Sequence, residues 1–168
     1  MLDFAILAIF PGVMVFAAIS DMLTMKIPNA VSLVLVVSFF VLAAAMGMQW
    51  SIIGGHALAA VLMLIVCFIM FNVGWIGGGD AKLAAATALW LGFGLLPNYG
   101  VFASIFGGVL TLAILQLRRM AMDGPLSETP WLARLREKNG GIPYGIALAA
   151  AGLMVYPETA LWIAARSS

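Results

Sequence analysis

Two of the seven acidic residues stand where solubility does not explain them: Asp21, just after the first apolar run, and Asp80, just before the fourth. The others have ordinary places. Asp3 is near the start, Asp123, Glu128 and Glu137 lie in the one polar stretch, and Glu158 is near the end of the last apolar run. Carboxylates at a bilayer edge are costly and are usually paired or functional. Two carboxyls held close in a poorly hydrated place do not both ionise readily, so the pair shares a proton. One then takes a proton from water while the other gives one to a peptide carbonyl and the leaving amine, which is the chemistry of aspartyl proteolysis. Taken singly, each acid has a plainer explanation. It marks a helix end near the interface, and for Asp80 a helix N-terminus favours a carboxylate.

The neighbours of the two acids add chemical content. Asp80 follows Gly77, Gly78 and Gly79, and Lys82 comes two residues later. Three glycines remove side chains and permit unusual backbone angles, so an extended substrate backbone is expected to approach the acid there; a flexible turn between spans would explain the glycines too, but does not need Asp80 and Lys82. Asp21 opens a stretch that ends in Ile27, Pro28 and Asn29, a step that stops one helix and starts the next. Lys26 and Lys82 each follow an acid closely. Setting topology is their simplest role, and holding lipid phosphates or biasing the protonation of the pair are the alternatives. His56, the only histidine, falls near an uncharged connection and reads as a polar residue at a span end. Cys67, the only cysteine, can form neither an internal disulfide nor a CxxC zinc site, and it reads as a small buried hydrophobe.

The elements that must position these residues belong in a membrane. The chain has 168 residues, 64% hydrophobic and 9% charged, and its mean hydropathy is +1.13. Soluble domains average about 45–50% apolar and about 25% charged residues. The formal net charge of +1 gives no electrostatic case for nucleic acid. Six apolar runs read as transmembrane helices: about 2–19, 30–48, 55–76, 81–96, 99–117 and 141–164. No Lys or Arg precedes the first run, which is therefore read as a retained helix and not a signal peptide. The fourth run is short, the turn after it is placed at Pro97 and Asn98, and Pro143 and Pro157 are expected to bend or shorten the sixth.

With six spans, Lys26, Lys82, Arg118, Arg119, Arg134, Arg136 and Lys138 share one side, and only Arg166 lies opposite. The positive-inside rule assigns the basic side to the cytoplasm, so both termini face outward and both acids lie at the cytoplasmic face. The expected architecture is an all-α polytopic membrane protein, one domain over 1–168, with a polar cytoplasmic loop at about 118–140. In that loop Thr129 and Pro130 suit an N-cap and first helical position. Trp131, Leu132 and Leu135 against Arg134, Arg136 and Lys138 suit amphipathic turns on the headgroups, or an ordinary basic loop. Gly74 with Gly78, and Gly141 with Gly145, have GxxxG spacing for close helix approach. Asn72 and Gln116 are expected to bond across helices. The 11 methionines read as adaptable packing, and Trp50, Trp75 and Trp131 as an interfacial aromatic belt.

Three motifs in order carry a resemblance: Asp21 with Ile27, Pro28 and Asn29; Gly77, Gly79 and Asp80 with Lys82; and Ile142, Pro143, Tyr144 and Gly145 at the start of the last run. On these the chain resembles the type IV prepilin peptidase family, in particular its short CpaA/TadV-like branch. The resemblance implies a GxGD-type aspartyl protease of the inner membrane, without a metal or other cofactor. It implies Asp21 and Asp80 as the catalytic pair. Gly77, Gly78, Gly79, Lys26, Lys82, Pro28, Asn29, Pro143 and Tyr144 would shape the site or contact substrate, with membrane anchoring an equal role for Tyr144. The implied partner is a prepilin or pseudopilin, cut on the cytoplasmic side after a Gly that precedes its hydrophobic segment. Longer members carry a region with paired cysteines and methylate the new N-terminus. The single Cys67 departs from that pattern, so neither methyl transfer nor S-adenosylmethionine or zinc is expected. The short branch usually serves Flp-type (tight-adherence) pili.

Two other classes compete. A small proton-coupled transporter also uses intramembrane carboxylates, but it calls for acids nearer mid-span and a polar lining through several helices. A non-catalytic assembly or scaffolding subunit predicts no loss of leader cleavage when the chain is deleted. The oligomeric state is left open.

Overall fold

The computed structural model describes residues 2–119, 129–137 and 140–167, and within them every regular element is helical. The helices are α1 (Leu2–Thr24), α2 (Asn29–Ala45), α3 (Trp50–Asn72), α4 (Gly78–Leu91), α5 (Leu96–Arg119), α6 (Pro130–Arg136), α7 (Tyr144–Val155) and α8 (Ala160–Ser167). Asp123, Glu128 and Lys138 lie outside the described residues. Three helical stretches are long and apolar enough to cross a membrane: Leu2–Thr24, Trp50–Asn72 and Phe93–Arg119. A fourth crossing arises if α7 and α8, bent by 56° across their break, act as one. Many large apolar side chains point outward, among them Phe4, Phe16, Leu33, Phe68, Val109 and Leu112. Lipid is the medium in which such a surface costs nothing.

Periodicity explains which faces turn inward. In α1 the buried residues are Ile6, Phe10, Met14, Ala17 and Asp21, a stripe of three- and four-residue steps. Asp21 is thus the last position of an apolar face, held at a buried address by its own helix. Helix α4 is buried all round from Leu83 to Leu91 and packs against α2, α3 and α7. Its alanines at 84, 85, 86 and 88 let those neighbours come close.

The end of α4 remote from Asp80 is fixed by aromatic rings. The Phe10 ring lies 5.3 Å from that of Trp90 and 4.3 Å from that of Tyr156. The Trp90 indole N–H donates to the Leu35 carbonyl at 2.9 Å, and the Tyr156 hydroxyl donates to Ile6 O at 2.8 Å. Each polar tip therefore finds a backbone acceptor inside the bundle, which buried Trp and Tyr require.

Several expectations change here. The break after α4 falls at Gly92, not at Pro97 and Asn98. Gly92 adopts φ +66°, which ends the helix, and a 3₁₀ turn at Phe93–Leu95 follows. Pro97 and Asn98 sit in the first turn of α5, where a missing N–H costs nothing. His56 packs over Gly92, bonds Leu89 O through Nδ1 at 2.7 Å and stacks on Phe39, so it secures this corner. Neither GxxxG pair lies on one helix, because Gly74 turns the chain after α3 at φ +78° and Gly141 precedes α7. Asn72 donates to Phe68 O at 2.8 Å in its own helix, since a side chain at a helix end reaches back one turn more readily than across. Thr129 and Pro130 do start α6, but Leu132 and Leu135 are buried against the protein and not laid on headgroups. The sixth run breaks as expected: α7 ends at Val155, and Pro157 sits in a 3₁₀ turn before α8.

Candidate active site

Asp21 and Asp80, 59 positions apart (80 − 21), line one cavity of about 500 Å3. A smaller cavity of about 290 Å3 has both acids in its wall as well. The first acid comes from the last turn of α1, the second from the first turn of α4. Asp21 is 5% exposed and Asp80 is half-buried.

Each carboxylate is held by a helix N-terminus. Asp21 Oδ2 accepts the Gly145 N–H at 2.8 Å, across 124 positions of sequence. Gly145 is the second residue of α7, so this N–H has no partner within its own helix. Asp80 Oδ2 accepts the Gly77 N–H at 3.2 Å, reaching back over the start of α4. This is half of a capping box; Gly77 has no side chain to make the other half. Helix N-termini carry a partial positive charge that favours anions, so the two acids are stabilised by two different helices.

The glycine run does not use the unusual backbone angles that the sequence allowed. Gly77, Gly78 and Gly79 show no positive φ, and Gly78 and Gly79 already belong to the first turn of α4. Their smallness matters instead. A Cβ on Gly79 would lie 3.2 Å from Ile27 Cβ, and one on Gly77 would lie 2.9 Å from Asp80 Oδ2. On the far side, a Cβ on Gly145 would meet Ile27 Cδ1 at 2.6 Å and Asp21 Oδ2 at 2.7 Å. Ile27 is therefore a wedge between the N-termini of α4 and α7, and glycine on both sides lets it enter.

The turn that delivers Ile27 is unusual. Met25 has φ +55°, a left-handed value uncommon for a residue with a side chain, and its N–H closes α1 by donating to Asp21 O at 2.8 Å. The Ser20 and Thr24 hydroxyls donate to Lys26 O at 2.9 and 3.2 Å, which holds the reversal. Met25 lines both cavities. Strained residues of this kind cluster at functional sites.

Of the residues singled out in the sequence, Asp21, Gly77, Asp80 and Tyr144 meet at the larger cavity. Lys26, Gly78 and Gly79 join the acids and Gly77 at the smaller one. Pro28, Asn29, Lys82 and Pro143 line neither and act from behind. Pro28 occupies the N-cap of α2, and Asn29 Oδ1 accepts from Lys82 Nζ at 2.8 Å, which ties α2 to α4. Pro143 is buried, with φ −74° and ψ 78° and with the Tyr144 N–H donating to Ile142 O. That geometry is an inverse γ-turn. The Tyr144 hydroxyl pairs with Thr111 Oγ1 at 3.2 Å.

Arg118 and Met25 were missed as site residues. By sequence Arg118 is a topology charge, yet it lines the larger cavity with both acids. Its Nε donates to Leu135 O at 2.8 Å, and Nη2 donates to Gly140 O and Gly141 O at 2.9 Å each. Nothing in the local sequence distinguishes Arg118 from Arg119 except helical register.

Comparison with known proteins covers the part of the chain that carries both acids. Positions 8–112, more than half of the chain, match the model of the type IV leader peptidase family. A stretch of 58 residues is 45% identical to a prepilin leader peptidase/N-methyltransferase of Dickeya chrysanthemi, covering 34% of this chain and 20% of that protein. The corresponding protein of Pectobacterium carotovorum subsp. carotovorum is also 45% identical over 58 residues, 34% of this chain and 21% of that protein. One from Burkholderia pseudomallei (strain K96243) is 40% identical over the same length, 19% of that protein. The matched stretch thus spans about a fifth of the length of these curated relatives. No solved structure matches the chain.

Proposed function

Because the chain belongs to the type IV leader peptidase family, we propose that it is a membrane aspartyl endopeptidase that removes leader peptides from prepilins, with Asp21 and Asp80 as its catalytic pair. One observation carries the assignment: two acids from separate helices line a single cavity, each steadied through Oδ2 by a backbone N–H. A water between them loses a proton to the ionised carboxylate and attacks the scissile carbonyl carbon. The protonated partner gives its proton to the carbonyl oxygen. The tetrahedral intermediate then collapses as a proton passes to the leaving amine and the C–N bond breaks. Two coupled acids titrate together, so base and acid are roles of the pair.

The finer reading follows from the sequence argument. The whole of 1–168 is one peptidase domain with six spans, both termini outside, the polar loop of about 118–140 in the cytoplasm and the acids at the cytoplasmic face of the inner membrane. The substrate is a precursor of the Flp, tight-adherence type, with its apolar helix in the lipid and its leader on the cytoplasmic side. Methyl transfer is not part of this reading. Gly77, Gly78, Gly79 and Pro143 shape the site, Pro28, Asn29 and Lys82 brace α2 on α4, and Tyr144 and Lys26 border the substrate space.

The test is cleavage of a co-expressed prepilin, read by mass spectrometry so that activity and cut site come together. Asp21→Asn and Asp80→Asn are each expected to slow cleavage by about 10²–10⁴-fold. If both variants shorten the pilin at the wild-type rate, the pair is not catalytic. Proton flux in liposomes that depends on both acids, without peptide cleavage, would reassign the chain to transport.

A further inference from the structure

We propose that Arg118 is a positioning residue of this site, which sets Asp21 in place by clamping the segment that carries the Gly145 N–H. The inference rests on the peptidase reading above.

The support begins with helical register. Gly107, Thr111, Ile114 and Arg118 follow one another at steps of four, three and four, so they share one face of α5. That face meets the start of α7. The Tyr144 ring packs on Gly107, where a Cβ would lie 3.5 Å from Cε1, and the Tyr144 hydroxyl reaches Thr111. Ile114 is buried. At the end of the stripe Arg118 grips three carbonyls with Nε and Nη2, one from α6 and two from the glycine pair at 140 and 141. A guanidinium suits this task because its donors are fixed in one plane and point in divergent directions.

From the clamp to the acid is a short, stiff path. Gly141 leads to Ile142, the γ-turn at buried Pro143, then Tyr144 and Gly145, whose N–H holds Asp21 Oδ2. The path is held at both ends, by Arg118 at Gly141 and by Thr111 at Tyr144. Release of the Arg118 end would let the 140–143 segment drift, and the Gly145 donor with it. A shift of order 1 Å in a reacting group costs up to about 10²-fold in rate.

The experiment uses the full chain in proteoliposomes and a synthetic pilin precursor with a basic leader and an apolar helix. Arg118→Gln removes the charge and the fork, and Arg118→Lys removes the fork alone. Folded protein is measured by thermal unfolding in detergent, and rates are expressed per folded molecule. Both variants are expected to lose about 10–100-fold in kcat while KM changes less than about twofold. Wild-type kcat in Arg118→Lys would overturn the proposal, because a role in topology or charge needs only a cation. A loss confined to KM would overturn it too. A second reading comes from pairing Arg118→Gln with Gly145→Ala. Both act through one hydrogen bond, so the double variant is expected to be no slower than the slower single, and multiplied losses would refute the shared path. If Asp21→Asn and Asp80→Asn are inactive and Arg118→Gln cleaves normally, the positioning role fails and the peptidase reading stands.

Discussion

Replacement of Gly145 by alanine puts the geometry of the site at risk with a single methyl group. The added Cβ would stand 2.7 Å from Asp21 Oδ2, 3.1 Å from Asp21 Cγ and 2.6 Å from Ile27 Cδ1. Ordinary contact begins near 3.4 Å, so relief of the first clash alone needs a shift of about 0.7 Å (3.4 − 2.7). Neither neighbour gives way freely. Asp21 is at the buried end of the α1 stripe, and Ile27 is pressed against Gly79 on its other side. Overpacking of this kind costs about 1–3 kcal/mol. The sign is informative, because alanine for glycine within a helix ordinarily gains roughly 1 kcal/mol. The expected activity loss is about 10–100-fold in kcat, since Asp21 and its donor must part. The assay pairs thermal unfolding in detergent with cleavage of a pilin precursor per folded molecule. Ile27→Val removes Cδ1, so the Ile27→Val/Gly145→Ala pair is expected to recover part of the stability and little of the activity. A Gly145→Ala protein as stable and as active as wild type would refute the close packing on which the site argument depends.

Two further outcomes test the scaffold apart from the chemistry. Trp90→Phe loses the hydrogen bond to Leu35 O in a fully buried place, and a destabilisation of about 1–3 kcal/mol is expected by thermal unfolding. Trp90 lies ten residues along α4 from Asp80, roughly 15 Å, so cleavage per folded molecule should stay unchanged. Gly92→Ala meets both a φ of +66° and a ring atom of His56 at 2.9 Å, and it should cost about 1–3 kcal/mol. His56→Ala added to it is expected to return the steric part alone, measured as a partial recovery of the unfolding midpoint.

What could be read in the chain and what could not divide along sequence distance. Asp80 and the glycines before it are contiguous, and Asp21 stands a few residues before Ile27, Pro28 and Asn29, so local types and spacing marked both. The apolar periodicity of α1 even carries the information that Asp21 belongs to the buried face. The partner of Asp21 could not be found that way, because its donor is a backbone N–H and lies 124 positions away. Arg118 was obscured by a sound rule: basic residues at span ends set topology, and that explanation left nothing over to be accounted for. The glycine run was legible as a place without side chains, whereas the unusual backbone angles also expected of it are absent. Side chains at 77, 78 and 79 would meet Asp80, Phe71 and Ile27 respectively, a fact of packing that flexibility imitates. The helix break at Gly92 was misplaced because proline draws attention and a glycine with positive φ does not.

Helix α4 has 14 residues and rises about 21 Å, whereas the hydrocarbon layer is about 30 Å deep. On the six-span reading this leaves some 9 Å of membrane unmatched beside the helix that carries Asp80. Under the proposed function each cleavage consumes one water, and a membrane thinned to match the short helix would bring bulk water nearer to the acids. Lipid chain length would then set how readily the second reactant is supplied, so the thickness of the host membrane would become part of the kinetics of the proposed reaction.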